Sequence, residues 1–174
     1  MRNTLEVLFG NCKFTMNCVC HTKSAFESIV AEIFYVSDGK PVKIVSNNES
    51  FELTVKNPQR KLIDFVKTDK CLLSDEVKKC DCILVSDQIV YLVEIKNCNA
   101  GGRGKRRKDA SMQLSSTIEL LKLYNFDFNG YHTTALICFK TVEPRITQAS
   151  KNSARAIFKS KYGISLEEGN LITF

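Results

Sequence analysis

The sequence has no long apolar run. Among its 174 residues, no continuous apolar stretch approaches the roughly 18 residues that a membrane-spanning helix needs. Residues 1–9 contain only a short apolar segment, broken by Glu6, which is not the pattern of a secretory signal. We therefore expect an intracellular, cytoplasmic protein with no membrane partner.

Several nucleotide- and DNA-binding motifs are also missing. The glycine-rich segment 97–104 lacks the Gly-Lys-Ser/Thr ending of a Walker phosphate-binding loop. There is no helix-turn-helix or zinc-finger signature, so no base-reading element is evident. We find neither repeats nor an interdomain linker, and 174 residues suit one domain. We predict a single domain over residues 1–174.

Cysteine, in contrast, is abundant, with eight residues. Without a secretory signal, free thiols are expected, and Cys80 and Cys82 are poorly placed to bridge each other on one strand. Four candidate zinc ligands lie near the start of the chain: Cys12, Cys18, Cys20 and His21. Their spacing matches no recognised zinc knuckle, so small buried hydrophobes are the favoured interpretation and a zinc site is the alternative.

Residues 80–96 are typical of a β-hairpin, with two apolar strands joined by a polar turn at residues 86–88. Side chains alternate along a strand, so Glu94 and Lys96 share a face. Antiparallel pairing brings Asp81 beside Glu94. Two adjacent carboxylates repel unless a cation lies between them, and oxygen ligands suit Mg²⁺ or Mn²⁺. Lys96 then lies where an ammonium group can orient or deprotonate water, which is the chemistry of metal-dependent phosphodiester hydrolysis.

At these residues the chain resembles the PD-(D/E)xK nuclease superfamily, whose signature is an Asp on one strand and Glu/Asp-x-Lys on the next. Cys80 replaces the proline that is common before the Asp. The resemblance implies an α/β fold with a restriction-endonuclease-like core, a mixed central β-sheet flanked by helices. It also implies that Asp81, Glu94 and the Ile95 carbonyl bind Mg²⁺ or Mn²⁺ and that Lys96 positions the attacking water.

The same residues have a purely structural interpretation. Asp81 would then cap a strand, and Glu94 would pair with Lys96 on a solvated face. The apolar strands around them disfavour this alternative, because they leave little room for charges without a function.

The resemblance extends to the helix predicted over residues 110–124. Gln113 corresponds to the glutamine that often begins this helix in the superfamily, and we expect its amide to contact the substrate backbone or Lys96. Members also often supply an extra acidic ligand from their first helix. We predict a helix over residues 25–35 and choose Glu27 for this role, with Glu32 and Glu76 as alternatives.

The net charge is +6, and much of the excess is local. Five basic residues lie within six positions: Arg103, Lys105, Arg106, Arg107 and Lys108. We predict that they form a basic loop that contacts the phosphates of a polyanion, and that the flexible segment 97–104 forms a mobile basic flap over the site. A merely solvated loop is the alternative.

The remaining patterns predict further elements. We expect a strand or hairpin within residues 5–20, a hairpin over 42–55, and a helix that starts at Pro58. A buried strand over 133–139 should run parallel to the Glu-x-Lys strand because a helix connects them. A helix over 152–162 and an edge strand over 171–174 complete the chain.

DNA is the expected substrate, because most members of the superfamily cut DNA. The first alternative is an RNA endonuclease of the cap-snatching type, which commonly adds an upstream histidine to the metal site; His21 is the candidate. The second is an inactive nuclease fold that binds nucleic acid or protein, although the intact Asp81, Glu94 and Lys96 argue against it. Nucleic acid is the expected partner, and a homodimer is left open.

Overall fold

The computed structural model describes residues 1–9, 24–39, 41–73, 76–97, 102–140 and 149–174. In this part of the chain the fold is mixed α/β. The helices are α1 (Arg2–Phe9), α2 (Arg103–Leu123) and α3 (Ala149–Tyr162). The strands are β1 (Phe26–Ile29), β2 (Ile33–Ser37), β3 (Lys43–Val45), β4 (Leu53–Lys56), β5 (Ile63–Lys67), β6 (Cys82–Ser86), β7 (Ile89–Lys96), β8 (His132–Phe139), β9 (Ser165–Glu168) and β10 (Leu171–Thr173). An irregular turn over Thr68–Leu72 follows β5.

The larger sheet is mixed and has the strand order β1-β5-β6-β7-β8-β9. Strands β1, β5, β6 and β7 pair antiparallel, whereas β8 is parallel to both β7 and β9. The predicted hairpin over 80–96 is confirmed as β6 and β7, with Asp87 at a φ of 51° in the turn. The parallel strand is confirmed as β8. It follows α2 because a parallel neighbour requires a crossover, which this helix supplies.

The smaller sheet has the order β10-β4-β2-β3. The predicted edge strand near the end of the chain is β10, which pairs parallel with β4. The predicted hairpin over 42–55 is wrong, because β2 lies between β3 and β4 and pairs antiparallel with both. The turn signals around residues 46–49 are real, but the chain there connects two strands that are not neighbours.

The larger sheet is buried on both faces. One face packs against all three helices, through residues that include Leu5, Val66, Leu92, Leu114, Ile118, Ile137 and Phe158. The other face packs against the smaller sheet, through residues that include Phe34, Val36, Leu53, Val55, Phe65, Val93, Ile95 and Ile172. Among the described residues, the helices therefore lie on one face of the central sheet, and a second sheet covers the face where helices were also expected.

Two predicted helices are strands in the structure. The segment 25–35 forms β1 and the start of β2, and the segment after Pro58 forms β5. Both are short apolar segments, for which periodicity does not separate a strand from a helix. Pairing decides the outcome, because β5 has a strand on each side and fills the place between β1 and β6.

The ends of the chain give mixed results. The helix predicted over 152–162 is confirmed as α3, which begins three residues earlier at Ala149. Residues 2–9 form α1 rather than part of a strand, and the rest of that predicted segment lies outside the described residues. Within the described residues, no helix has both the length and the apolarity to cross a membrane.

Candidate active site

Strand β7 ends with Glu94 and Lys96 on the same face, because they are two residues apart. The Glu94 side chain is only 1% exposed, whereas that of Lys96 is 15% exposed. The Lys96 ammonium group donates a hydrogen bond to Oε1 of Glu94. The other oxygen, Oε2, is buried and has no hydrogen-bond partner among the described residues. A buried carboxylate oxygen without a partner is costly, which is a common sign of a ligand site.

Asp81 lies directly before β6 and is tied to the same end of β7. Its Oδ2 accepts a hydrogen bond from the Ile95 amide at 2.6 Å. Its own amide donates to the Val93 carbonyl at 3.0 Å. Asp81 is thus held by the backbone on either side of Glu94, through its carboxylate at Ile95 and through its own amide at Val93. The structure brings Asp81, Glu94 and Lys96 together at one end of the sheet; their catalytic roles stay predictions.

Helix α2 contributes Gln113, which is half-buried. Its Oε1 accepts a hydrogen bond from Nζ of Lys96 at 2.7 Å, and its Nε2 donates to the Lys79 carbonyl at 3.0 Å. Of the two contacts predicted for this amide, the structure contains the one with Lys96. Because the oxygen and the nitrogen each have a partner, the amide holds the ammonium group in one position.

One turn further along α2, Thr117 ties the helix to the segment before Asp81. Its hydroxyl accepts a hydrogen bond from the Cys80 amide at 2.8 Å and donates to the Gln113 carbonyl at 3.0 Å. Thr117 is fully buried. The helix and the first strand of the hairpin are therefore joined next to the candidate site.

Burial raises the pKa of both carboxyl groups. The pKa of Asp81 rises to about 7, mainly through burial, and the Ile95 amide acts in the opposite direction. The pKa of Glu94 rises to about 9, mainly through burial and then through the charge of Asp81, while Lys96 lowers it. Carboxyl groups that lie close together and have shifted pKa values are typical of functional sites. A cation between them would stabilise both ionised forms.

Asp38 is a neighbour that the sequence analysis missed. Its charge raises the pKa of both Asp81 and Glu94, so it contributes to the negative potential of the site. Asp38 follows β2 in the smaller sheet, where its amide donates to Oε2 of the buried Glu52 at 2.8 Å. In sequence this residue belongs to a turn signal and is 43 positions from Asp81. No local pattern links the two.

The donor set suits a hard divalent cation. Asp81 and Glu94 offer carboxylate oxygens, which Mg²⁺ and Mn²⁺ prefer, and the partnerless Oε2 of Glu94 gives such a cation a direct ligand. The described residues contain no group of three or more His, Cys, Asp or Glu side chains arranged around a metal position. The candidate centre therefore depends on two carboxylates and on backbone oxygen such as the Ile95 carbonyl.

Glu27, the predicted extra ligand, is on a strand rather than a helix and lies on the other face of the sheet. It is paired across β1 and β5 with Phe65, and the register continues through Leu84 to Tyr91. Tyr91 is three residues from Glu94 on β7, so the two side chains point to opposite faces. Glu27 instead forms an ion pair with Lys67 at 2.6 Å. The structure does not bring it into the candidate site.

The two alternative acids are at the surface. Glu32 is exposed and forms an ion pair with Arg60 at 3.3 Å. Glu76 is also exposed. The histidine and cysteine candidates for zinc or for an RNA-type metal site, Cys12, Cys18, Cys20 and His21, lie outside the described residues. Cys71, Cys80, Cys82 and Cys138 are free buried thiols, as predicted.

The basic cluster is helical, so the prediction of a basic loop over residues 103–108 is wrong, whereas half of the flap predicted over 97–104 lies outside the described part of the chain. Residues 103–108 form the first turns of α2, while residues 98–101 lie outside the described part of the chain. Arg103 is buried with its guanidinium 5.0 Å from the centre of the Phe139 ring. Arg107 forms two hydrogen bonds with Glu168, at 2.5 and 3.0 Å. Lys105, Arg106 and Lys108 are exposed.

Comparisons of the chain with protein-family models, curated proteins and solved structures found no significant match. The functional interpretation therefore depends on the residues of the β6–β7 hairpin and α2 themselves.

Proposed function

We propose that this chain is a divalent-metal-dependent endonuclease that hydrolyses phosphodiester bonds, with DNA as the favoured substrate. The proposal includes a restriction-endonuclease-like core formed by the β6–β7 hairpin, α2 and β8. The observation that carries it is Glu94, which is buried, contacts Lys96 and keeps one carboxylate oxygen without a partner. A buried carboxylate beside a second raised-pKa carboxyl group is costly for stability, and a cation site gives it a function.

In this proposal Asp81, Glu94 and the Ile95 carbonyl would hold Mg²⁺ or Mn²⁺. When bound, such a cation supplies Lewis-acid stabilisation of charge on the phosphate oxygens. Lys96 positions the attacking water through its ammonium group, which Gln113 of α2 holds by a hydrogen bond of 2.7 Å. The burial of Glu94 strengthens these electrostatic interactions, because fewer water molecules screen them.

Two alternatives lead to different results in the same experiments. An RNA endonuclease would use the same carboxylates on a single-stranded RNA substrate. A nuclease fold that only binds nucleic acid or protein would not depend on a divalent cation.

The decisive experiment compares cleavage by the wild type and by Lys96→Ala. Circular DNA, linear DNA and single-stranded RNA are incubated with each protein and Mn²⁺. We expect the wild type to cut DNA and Lys96→Ala to be at least about 100-fold slower, the range for loss of a proton-transfer or positioning group. Lys56→Ala, which removes an exposed lysine from β4, is the matched control and should keep full activity.

Metal binding tests the same proposal without turnover. Titration calorimetry should detect Mn²⁺ binding to the wild type, and Asp81→Ala should abolish it. A protein indifferent to Mn²⁺ that binds nucleic acid equally well in EDTA would contradict the nuclease proposal and support the binding module. Cleavage of RNA but not of DNA would support the RNA endonuclease instead. Light scattering of the same samples tests the homodimer.

A further inference from the structure

A shallow pocket lies beside the candidate active site, on the side of the Lys96 ammonium group. Its volume is about 270 Å³. Strand β7 contributes Lys96, the segment before Asp81 contributes Lys78, and α2 contributes Arg106, Asp109, Met112 and Gln113. Neither Asp81 nor Glu94 lines it. The pocket therefore adjoins the candidate active site through Lys96 and Gln113 without including its carboxylates.

One face of α2 forms the wall of this pocket. Arg106, Asp109 and Gln113 are separated by three and four residues, so they follow one another along a single helix face. Gln113 is the residue that holds Lys96 at 2.7 Å. The same helix face thus connects the candidate catalytic lysine to the basic first turns of α2.

Two cations of the pocket have no ion-pair partner in the part of the chain that the structure describes. Lys78 and Arg106 are both exposed, and neither takes part in an ion pair among the described residues. This distinguishes them from the other cations nearby: Lys79 has Asp69 at 3.1 Å, and Arg107 has Glu168. Exposed cations with open donors beside a catalytic group are the usual means of holding a phosphate.

The remaining lining also suits a nucleotide unit. Met112 is 39% exposed and offers an apolar contact to a sugar or base. Asp109 contributes a carboxylate to the lining, and its charge repels a bound anion. The volume is just below the roughly 300–1,000 Å³ of pockets that enclose whole small-molecule ligands. An open pocket of this size fits one unit of a polymer that continues across the surface.

We propose that Lys78 and Arg106 form a phosphate-binding subsite that holds the sugar–phosphate backbone of a nucleic acid strand beside the phosphodiester facing Lys96. This inference rests on the proposed nuclease function and deepens it, because it assigns where the strand leaves the candidate active site. It also separates the basic cluster of α2 into a substrate-binding member, Arg106, and structural members, Arg103 and Arg107.

The test measures binding in EDTA, where no metal-dependent cleavage occurs. Fluorescence anisotropy with labelled single strands of DNA and RNA of one sequence gives the dissociation constants. We expect Lys78→Ala and Arg106→Ala each to weaken binding about 10-fold, the effect of losing one charge-assisted contact. Each should also reduce the salt dependence of the binding constant by about 0.7 in log–log slope. Asp109→Asn should strengthen binding, because it removes a repulsive charge.

Lys56→Ala and Lys122→Ala are the matched controls. Each removes an exposed cation that lies outside the pocket, Lys122 from the same helix and Lys56 from β4, and should change binding by less than about 3-fold. Equal losses in the control and pocket variants would overturn the subsite in favour of diffuse attraction. Wild-type protein that binds neither nucleic acid would overturn it as well. The DNA and RNA arms identify which backbone the pocket prefers.

The two proposals fail in different ways. If Lys78→Ala and Arg106→Ala bind normally while Lys96→Ala abolishes cleavage, the subsite is wrong and the nuclease stands. If the pocket variants lose binding but no protein cleaves either substrate with Mn²⁺, the subsite stands as a nucleic acid site and the nuclease is wrong.

Discussion

Gln113 shows how much of the candidate site depends on one neutral side chain. Lys96 has a carboxylate partner on its own strand, Glu94, and an amide partner on the following helix. The amide is itself oriented by the Lys79 carbonyl. An ammonium group on a flexible four-carbon chain loses considerable rotamer freedom when it is held this way. Gln113 is therefore best described as a positioning residue for Lys96.

This role predicts the result of Gln113→Ala. The rate of cleavage at saturating substrate should fall about 10- to 100-fold, because Lys96 is no longer held in position. Mn²⁺ affinity should stay near that of the wild type, since Asp81 and Glu94 are unchanged. Single-turnover kinetics and calorimetry provide the two readouts. Gln88→Ala, in the exposed turn of the hairpin, is the control. If Gln113→Ala lost metal binding and rate to the same extent, the positioning role would be contradicted.

At the scale of elements, the end of the β6–β7 ladder explains why Asp81 is so well placed. The Asp81 carbonyl accepts hydrogen bonds from the amides of Thr68 and Asp69, at 3.1 and 3.3 Å. The Ile95 amide is bonded instead to the Asp81 side chain. At the strand end, the Asp81 carboxylate thus acts as the acceptor for a backbone amide of β7. The Asp81 carbonyl is bonded to the irregular turn after β5 instead.

Helix α2 has two basic faces with different surroundings. Arg103 and Arg107, four residues apart, face β8 and β9 and pack against Phe139. Arg106 faces the pocket beside Lys96. Charge clustering in the sequence therefore overstates the number of cations that are available to a polyanion.

A double-mutant cycle tests the structural face. The cycle uses Arg107→Ala, Glu168→Ala and the double variant in urea unfolding. We expect a coupling free energy of about 1 kcal/mol, the upper range for a partly exposed pair, because the contact has two hydrogen bonds. Lys108→Ala should change the free energy of unfolding by less than about 0.5 kcal/mol. A coupling near zero would show that Arg107 does not fasten α2 to β9.

Across the whole molecule, the candidate site draws on all three layers. The larger sheet supplies Asp81, Glu94 and Lys96, the helical layer supplies Gln113, and the smaller sheet supplies the charge of Asp38. The two sheets also meet at Tyr91 and Phe174, whose ring centres are 5.4 Å apart in an edge-to-face arrangement. The packing of the layers is therefore needed for the electrostatics of the site.

The raised carboxyl pKa values predict an unusual pH dependence of stability for the metal-free protein. The ordinary pKa values of Asp81 and Glu94 are 3.8 and 4.5, and in the folded state they rise to about 7 and about 9. Between the ordinary and the raised pKa of each group, the folded protein holds more protons than the unfolded chain. Stability falls with rising pH under that condition. In EDTA, the melting temperature should therefore fall from pH 5 to pH 9.

Glu94→Gln isolates the contribution of that group. It should remove the part of the decline between pH 7 and pH 9, because the amide does not titrate. Glu32→Gln, at an exposed position, should leave the curve unchanged and serves as the control. Saturating Mn²⁺ should raise the melting temperature most at high pH, where both carboxylates are ionised. A metal-free protein that becomes more stable from pH 5 to pH 9 would contradict the raised pKa values.

The hairpin, its turn and the relation between Glu94 and Lys96 were predictable because they are local. Alternation along a strand and the length of a turn depend on neighbouring residues only. The parallel strand β8 was predictable for a related reason, since a helical crossover leaves few topologies. Gln113 was found through its resemblance to a family position.

Strands β1 and β5, the smaller sheet, the location of Glu27 and the charge of Asp38 were beyond local reasoning. Short apolar segments suit either a helix or a strand, and hydrogen bonding to distant partners selects between them. The division of the basic cluster depends on Phe139 and Glu168, which no pattern near residue 103 reveals. Local sequence patterns thus identify the carboxylates and the lysine of the candidate site. Long-range packing determines which other charged groups lie near them.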